Sequence, residues 1–132
     1  MRLRFQLPFI VVLSVLVISR PLYAHHGFFA SYDVAKRITL RGTVTQFAWS
    51  NPHAQIYFDA KDETGHIANW TGEMNSPGVL KKNGWSRYSM KPGDQITVTI
   101  VPSRALGAHL GLAGKVVLPN GEVLEGNQGL RP

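Results

Sequence analysis

Two adjacent histidines, His25 and His26, stand directly after Ala24, where a protease cut would create a chelating residue. His25 would then carry a free α-amine beside its imidazole. The ordinary pKa values of these groups, about 7.7–8.0 and about 6.5, let both lose protons near neutrality. The amine and one ring nitrogen can close a chelate on a metal ion. A nitrogen-rich site of this kind favours Cu(II), although imidazole also binds zinc and nickel.

A third nitrogen ligand is available from His26, His53 or His109. His53 ends the segment Trp49-Ser50-Asn51-Pro52-His53. The Asn-Pro pair predicts a rigid turn, because proline holds the residue before it in extended geometry. We therefore predict a metal site formed by His25, His26 and His53, with copper as the candidate ion.

The same segments have plainer interpretations. His25 and His26 are also typical of a flexible, polar chain start, and His53 is equally suited to hydrogen-bond the backbone of its turn. Trp49 and Asn51 lie at this turn and are predicted to contribute to binding there. Aromatic residues that need burial follow the first two histidines: Phe28, Phe29 and Tyr32. Their burial would hold the start of the chain against the protein.

No sequence pattern favours catalysis. Glu73 and Asp33 are the acidic residues least clearly placed in surface turns, but their spacing does not indicate a catalytic pair. Trp70 and Trp85 are predicted to lie in the core, because each covers a large apolar area, and His66 is predicted to be a solvated loop residue. The sequence has no phosphate-binding loop, nucleophile elbow or His-Glu-x-x-His motif. A binding protein is therefore favoured over an enzyme.

Composition excludes several classes of site and partner. The chain has no cysteine, which excludes disulfides, thiolate metal sites and a cysteine-linked lipid anchor. Three arginines and no acidic residue precede residue 25, so the net charge of +6 falls to an excess of three basic residues beyond that point. The pairs Lys36-Arg37 and Lys81-Lys82 are interpreted as solvated surface. No basic run indicates binding to nucleic acid.

The N-terminus has the three-part pattern of a secretory signal. Arg2 and Arg4 precede an apolar run over residues 5–19, and Leu22-Tyr23-Ala24 places a small residue before the cut. The run is shorter than the roughly 20 residues of a membrane-spanning helix. We predict a cleaved signal over residues 1–24, with an uncleaved anchor as the alternative. Residues 25–132 would then form one periplasmic or secreted domain without a transmembrane segment.

Period-2 alternation dominates the mature chain and predicts half-buried strands. The predicted strands cover residues 38–47, 54–60, 66–74, 94–101 and, as a hairpin around Asn120-Gly121, 111–126. Gly42, inside the first strand, predicts a bulge or bend. Ser76-Pro77 and Gly84 predict the start and the end of a short helix.

The order of predicted elements along the chain is three strands, a short helix and two or three further strands. It predicts an all-β fold with one short helix. This is the order of a small OB-fold-like, partly open β-barrel. A β-sandwich is the alternative, although it needs about seven strands.

The chain also resembles a family of small exported bacterial proteins of unknown function. The resemblance rests on motifs that occur in order along nearly the whole mature chain: Ala24-His25-His26-Gly27-Phe28, Tyr32-Asp33, Leu40-Arg41-Gly42-Thr43-Val44, Trp49-Ser50-Asn51-Pro52-His53, Trp70, Ser76-Pro77, Gly84-Trp85, Lys91-Pro92-Gly93-Asp94 and Val116-Val117-Leu118-Pro119-Asn120-Gly121. It implies a periplasmic or secreted β-barrel and draws attention to His25, His26 and His53, but implies no activity. Gly27 stands where the resemblance leads us to expect a serine.

These observations predict an exported protein that binds a small ligand, with copper held through the mature N-terminal histidine as the specific hypothesis. The alternative is an interaction module that binds a protein, a peptide or an envelope glycan without a metal. A copper-dependent oxidase would use the same histidines but lacks a recognisable substrate surface. Neither nucleic acid nor a second domain is expected.

Overall fold

The alternating segments form a six-stranded sheet that curls into a barrel. The computed structural model describes residues 30–130. In chain order its elements are β1 (Ile38–Ala48), β2 (Gln55–Lys61), β3 (Ile67–Glu73), α1 (Pro77–Lys82), β4 (Gln95–Pro102), β5 (Leu110–Val117) and β6 (Val123–Glu125). The predicted strands and helix are confirmed, because alternating side chains and turn residues specify these elements locally.

The strand order closes the sheet on itself. Neighbours in the order β3-β2-β1-β4-β5-β6 pair antiparallel, and β3 additionally pairs parallel with β5. The closing register joins Thr71 to Leu110, Gly72 to Gly111 and Glu73 to Leu112. Five strands therefore make a closed barrel with β6 as an extra strand, and the chain adopts the predicted OB-like arrangement instead of the sandwich. The sequence predicted a partly open barrel, whereas the β3–β5 pairing closes it.

Strand β1 serves both halves of the barrel. Gly42 and Thr43 pair with β2 on one side and with β4 on the other. The register of β1 against β2 shifts between Val44 and Gln46, so the irregularity expected at Gly42 occurs a few residues later. Gly42 is needed for another reason, since a Cβ atom there would collide with the carbonyl oxygen of Asp59.

The core fills the inside of the barrel with side chains from alternate strand positions. Ile56, Phe58, Val98 and Ile100 are fully buried, as the alternation predicts. Trp70 and Trp85 are also buried, which confirms the core role predicted for them. The larger of two hydrophobic clusters contains seventeen buried residues contributed by β1 to β6 and by α1 and its flanking loops.

Helix α1 lies between β3 and β4 and carries Leu80 into the core. Ser76 precedes the helix but makes no side-chain cap, contrary to its predicted role; its carbonyl accepts hydrogen bonds from the amides of Val79 and Leu80 instead. Gly84 has a φ of 87°, as predicted for a helix stop. Within residues 30–130, no helix is long and apolar enough to cross a membrane.

Candidate functional site

His53 is held in one orientation at the end of the connection between β1 and β2. This connection contains a cis peptide between Asn51 and Pro52. Nδ1 of His53 lies 3.1 Å from the carbonyl oxygen of Met74 and 2.9 Å from Oε1 of Glu73. The carbonyl oxygen of Met74 can accept a hydrogen bond but cannot donate one, and the same holds for Oε1 of Glu73 when its carboxyl group is ionised. Nδ1 of His53 therefore carries the proton, and in the neutral ring Nε2 carries the free lone pair. The side chain is 39% exposed, which leaves the ring accessible.

The carboxylate of Glu73 joins two parts of the chain that are far apart in the sequence. Oε1 lies beside the His53 ring, and Oε2 accepts a 2.9 Å hydrogen bond from the hydroxyl of Tyr32. The backbone of Glu73 is fixed as well, because its carbonyl oxygen accepts a 2.7 Å hydrogen bond from Asn127 Nδ2. Glu73 thus bridges the first described segment and the histidine turn.

Tyr32 anchors the start of the described chain. Its side chain is 7% exposed, which confirms its predicted burial, and its backbone forms a β-bridge with Ser103. Burial, followed by the hydrogen bond to Glu73 and the negative charge of that carboxylate, raises the pKa of Tyr32 to about 12. Phe28 and Phe29, also predicted to be buried, lie outside the described residues.

Two members of the predicted metal site, His25 and His26, also lie outside the described residues, so the three-histidine set stays a prediction. Chain length is compatible with it. His26 comes six residues before Tyr32, and six residues of extended chain span about 20 Å. Tyr32 and His53 contact opposite oxygens of one carboxylate.

His109 belongs to a different group of side chains. Its Nε2 lies 3.8 Å from Oδ2 of Asp62, and its ring packs edge-on against Trp70 with centroids 5.0 Å apart. These contacts give His109 a structural role, and it shares no partner with His53. His66 is exposed, as predicted, and its Nδ1 lies 2.7 Å from the hydroxyl of Thr64. The Thr64 hydroxyl also hydrogen-bonds Asp62 and lowers the pKa of that carboxyl group.

The two further binding candidates at the histidine turn differ in accessibility. Trp49 is half-buried and packs edge-on against Phe47, with ring centroids 5.7 Å apart. Part of its ring therefore packs against β1 and the core, while Asn51 is exposed. Asp33 lies 3.6 Å from Nη2 of Arg104, so it anchors the N-terminal segment, one of the roles considered for it.

The sequence did not reveal the convergence of Tyr32, Glu73 and His53. Each residue stood out separately, but they come from the segment before β1, the end of β3 and the turn after β1. Asn127 carried no signal, because an asparagine near the C-terminus has no periodicity that would place it against Glu73. Among residues 30–130, no group of three or more histidine, aspartate or glutamate side chains is placed to hold a metal ion. A metal site at His53 would need further ligands from outside the described residues.

Residues 12–113 match a known protein family, and the matched stretch contains Tyr32, His53 and Glu73. The chain belongs to the family of unknown function DUF6152. The resemblance noted in the sequence is thereby confirmed at the level of the family. No curated protein and no solved structure matches the chain. The stretch that matches DUF6152 also includes His25 and His26 and ends inside β5.

Proposed function

We propose that this member of DUF6152 is an exported metal-binding protein that takes up Cu(II). The ligands are the α-amine and imidazole of His25 and Nε2 of His53, with His26 as a further nitrogen donor. The observation that carries the proposal is the fixed orientation of the His53 ring.

A histidine that binds a metal through one ring nitrogen commonly donates its other N–H to a carboxylate or to a backbone carbonyl. Nδ1 of His53 has both kinds of acceptor nearby, in Met74 and Glu73. This arrangement supports the tautomer in which Nε2 is free to bind an ion. A solvated surface histidine needs no such pair of acceptors, and the exposed His66, whose Nδ1 lies beside the hydroxyl of Thr64, illustrates the difference.

The position of Tyr32 supports the participation of the N-terminal histidines. The hydrogen bond from Tyr32 to Glu73 brings the chain that follows the predicted signal to the same carboxylate that contacts His53. Cleavage after Ala24 would supply the α-amine, and Cu(II) favours sites rich in nitrogen. Export through the signal is part of the proposal, since an uncleaved chain would lack this amine.

The decisive experiment is a Cu(II) titration of protein that a bacterium has exported and processed, read by electron paramagnetic resonance after sequencing of the mature N-terminus. We expect a start at His25 and one tight site with several nitrogen ligands. His25→Ala and His53→Ala should each abolish the nitrogen-rich spectrum. His66→Ala is the matched control and should leave it unchanged, because His66 lies in an exposed turn.

Weak binding that is the same in all three variants would contradict the proposal. It would favour the alternative of an interaction module for a protein, peptide or envelope glycan. Such a module would use the exposed Asn51 and the accessible part of Trp49.

A further inference from the structure

The segment that contains α1 and the turn after it is strongly and exclusively basic. No acidic residue occurs between Glu73 and Asp94, and this stretch contains four exposed basic side chains: Lys81, Lys82, Arg87 and Lys91. Nζ of Lys91 lies 3.2 Å from Asp94, which neutralises it. Within residues 30–130, the other three make no ion pair. We call residues 77–91 the basic segment.

The basic segment also exposes an aromatic ring. The side chain of Tyr88 is 86% exposed and that of Val79 is 38% exposed, although the core lies close by. Leu80 and Trp85 fill that core from the same segment, and the indole N–H of Trp85 donates a 2.9 Å hydrogen bond to the carbonyl of Glu125. The backbone is therefore anchored, while its cations and Tyr88 remain in solvent.

We propose that the basic segment binds the surface of an anionic phospholipid bilayer. Lysine and arginine near such a surface are attracted by its negative charge, and each adds to the affinity. Tyrosine sits favourably at the boundary between lipid and water, because its ring is apolar and its hydroxyl is polar. Lys81, Lys82 and Arg87 would contact lipid phosphates, and Tyr88 would enter the headgroup layer. The protein then associates peripherally with a membrane through this segment.

The test measures binding of the exported and processed protein to vesicles of pure phosphatidylglycerol and of pure phosphatidylcholine by co-sedimentation. We expect binding to the anionic vesicles alone at about 0.1 M salt, and its loss at high salt, since salt screens exposed charges. The variant Lys81→Gln/Lys82→Gln/Arg87→Gln should bind about a hundredfold more weakly, at about fivefold for each cation. Tyr88→Ser should weaken binding severalfold.

The matched control is Arg41→Gln/Lys61→Gln/Lys115→Gln, which removes the same charge from exposed positions of the barrel strands. It should retain most of the binding, and thermal unfolding should verify that both triple variants are folded. Equal binding to the two lipids, or equal losses in the two triple variants, would overturn the proposal. So would retention on a soluble polyanion without binding to vesicles, which would identify an acidic macromolecule as the partner. The outcome does not depend on metal binding, because none of these residues belongs to the His53 site.

Discussion

At the scale of single residues, Glu73 is the most informative side chain of the described chain. Its two carboxylate oxygens contact Tyr32 and His53, and its backbone carbonyl is held by Asn127. One acidic group therefore couples the position of the N-terminal segment to the orientation of the His53 ring. In the proposed copper site Glu73 would act through its neighbours, as a positioning residue.

Glu73→Gln is expected to lower the affinity for Cu(II) by about 10- to 100-fold, because the loss of a carboxylate beside a liganding histidine typically has this effect. The Met74 carbonyl still accepts from Nδ1, so His53 should remain bound, with altered electron paramagnetic resonance parameters. Glu122→Gln removes the same charge from an exposed turn and serves as the control. Equal affinity in the two variants would show that Glu73 does not position the ligand.

Tyr32→Phe is expected to change the stability of the protein at alkaline pH. The pKa of Tyr32 is raised from 10.0 to about 12, so the folded state favours the protonated phenol. The resulting stabilisation is present below pH 10 and is lost as the pH rises towards 12. Tyr32→Phe should therefore lose less stability than the wild type across this window, although it is less stable at pH 7 by about 1 kcal/mol because it lacks the hydrogen bond to Glu73.

Urea unfolding between pH 7 and pH 12 measures this difference. Tyr88→Phe is the control, since it removes the same hydroxyl group from a side chain that is 86% exposed. A parallel decline of the wild type and the Tyr32→Phe variant between pH 10 and 12 would contradict the assignment.

At the scale of elements, β1 sets the shape of the barrel because it pairs with two different strands. Around Gly42 its backbone passes so close to β2 that no side chain fits, and its register against β2 shifts between Val44 and Gln46. Strand β1 ends at Ala48, and the connection to β2 that follows contains His53.

Gly42→Ala is expected to lower the free energy of unfolding by about 1–3 kcal/mol, because the added methyl group must displace β2 backbone in a packed barrel. Gly78→Ala is the matched control. A methyl group at Gly78, in α1, meets open space and should be neutral or stabilise the helix by up to about 1 kcal/mol. Chemical denaturation compares the two. Similar free energies of unfolding for the two variants would mean that β2 moves away from a methyl group at position 42 without an energetic cost.

The sequence predicts the elements of this protein better than the contacts between them. Strand alternation, Ser76-Pro77 and Gly84 located every strand and the helix, since these signals act over a few residues. The parallel pairing of Thr71 with Leu110 left no such trace, because it joins residues that are distant in the chain. The site shows the same limit: His53 was identified by its turn, but its contact with Glu73 depends on the whole barrel.

At the scale of the whole molecule, the two candidate surfaces start from the same end of β3. Glu73, the last residue of β3, contacts His53, and the basic segment begins four residues later at Pro77. A protein bound to a membrane through the basic segment would therefore hold its histidine site near the lipid surface.

Barrel closure also has a consequence for the kinetics of folding. The series β1-β2-β3 and β4-β5-β6 each join consecutive strands, so each can form from local contacts. The β1–β4 and β3–β5 pairings both join residues that are far apart in the chain, and such contacts form slowly. The β3–β5 pairing is the shorter of the two, with three paired residues in each strand where β1–β4 has six. We expect the seam between β3 and β5 to close last and to open first. Opening it would free two strand edges, the kind of surface through which chains aggregate.

Hydrogen exchange tests this order of events. The amide of Thr71, which donates to the carbonyl of His109 across the seam, should exchange faster than the amides between β1 and β2. Asn127 donates to the carbonyls of both Glu73 in β3 and Ala113 in β5, so Asn127→Ala should accelerate exchange at the seam in particular. A uniform acceleration across all strands would mean that the barrel opens as one unit. If exchange accelerates at the seam alone, Asn127 controls how often the β3–β5 pairing opens. It then also controls how often a newly made or partly unfolded molecule exposes strand edges to other chains.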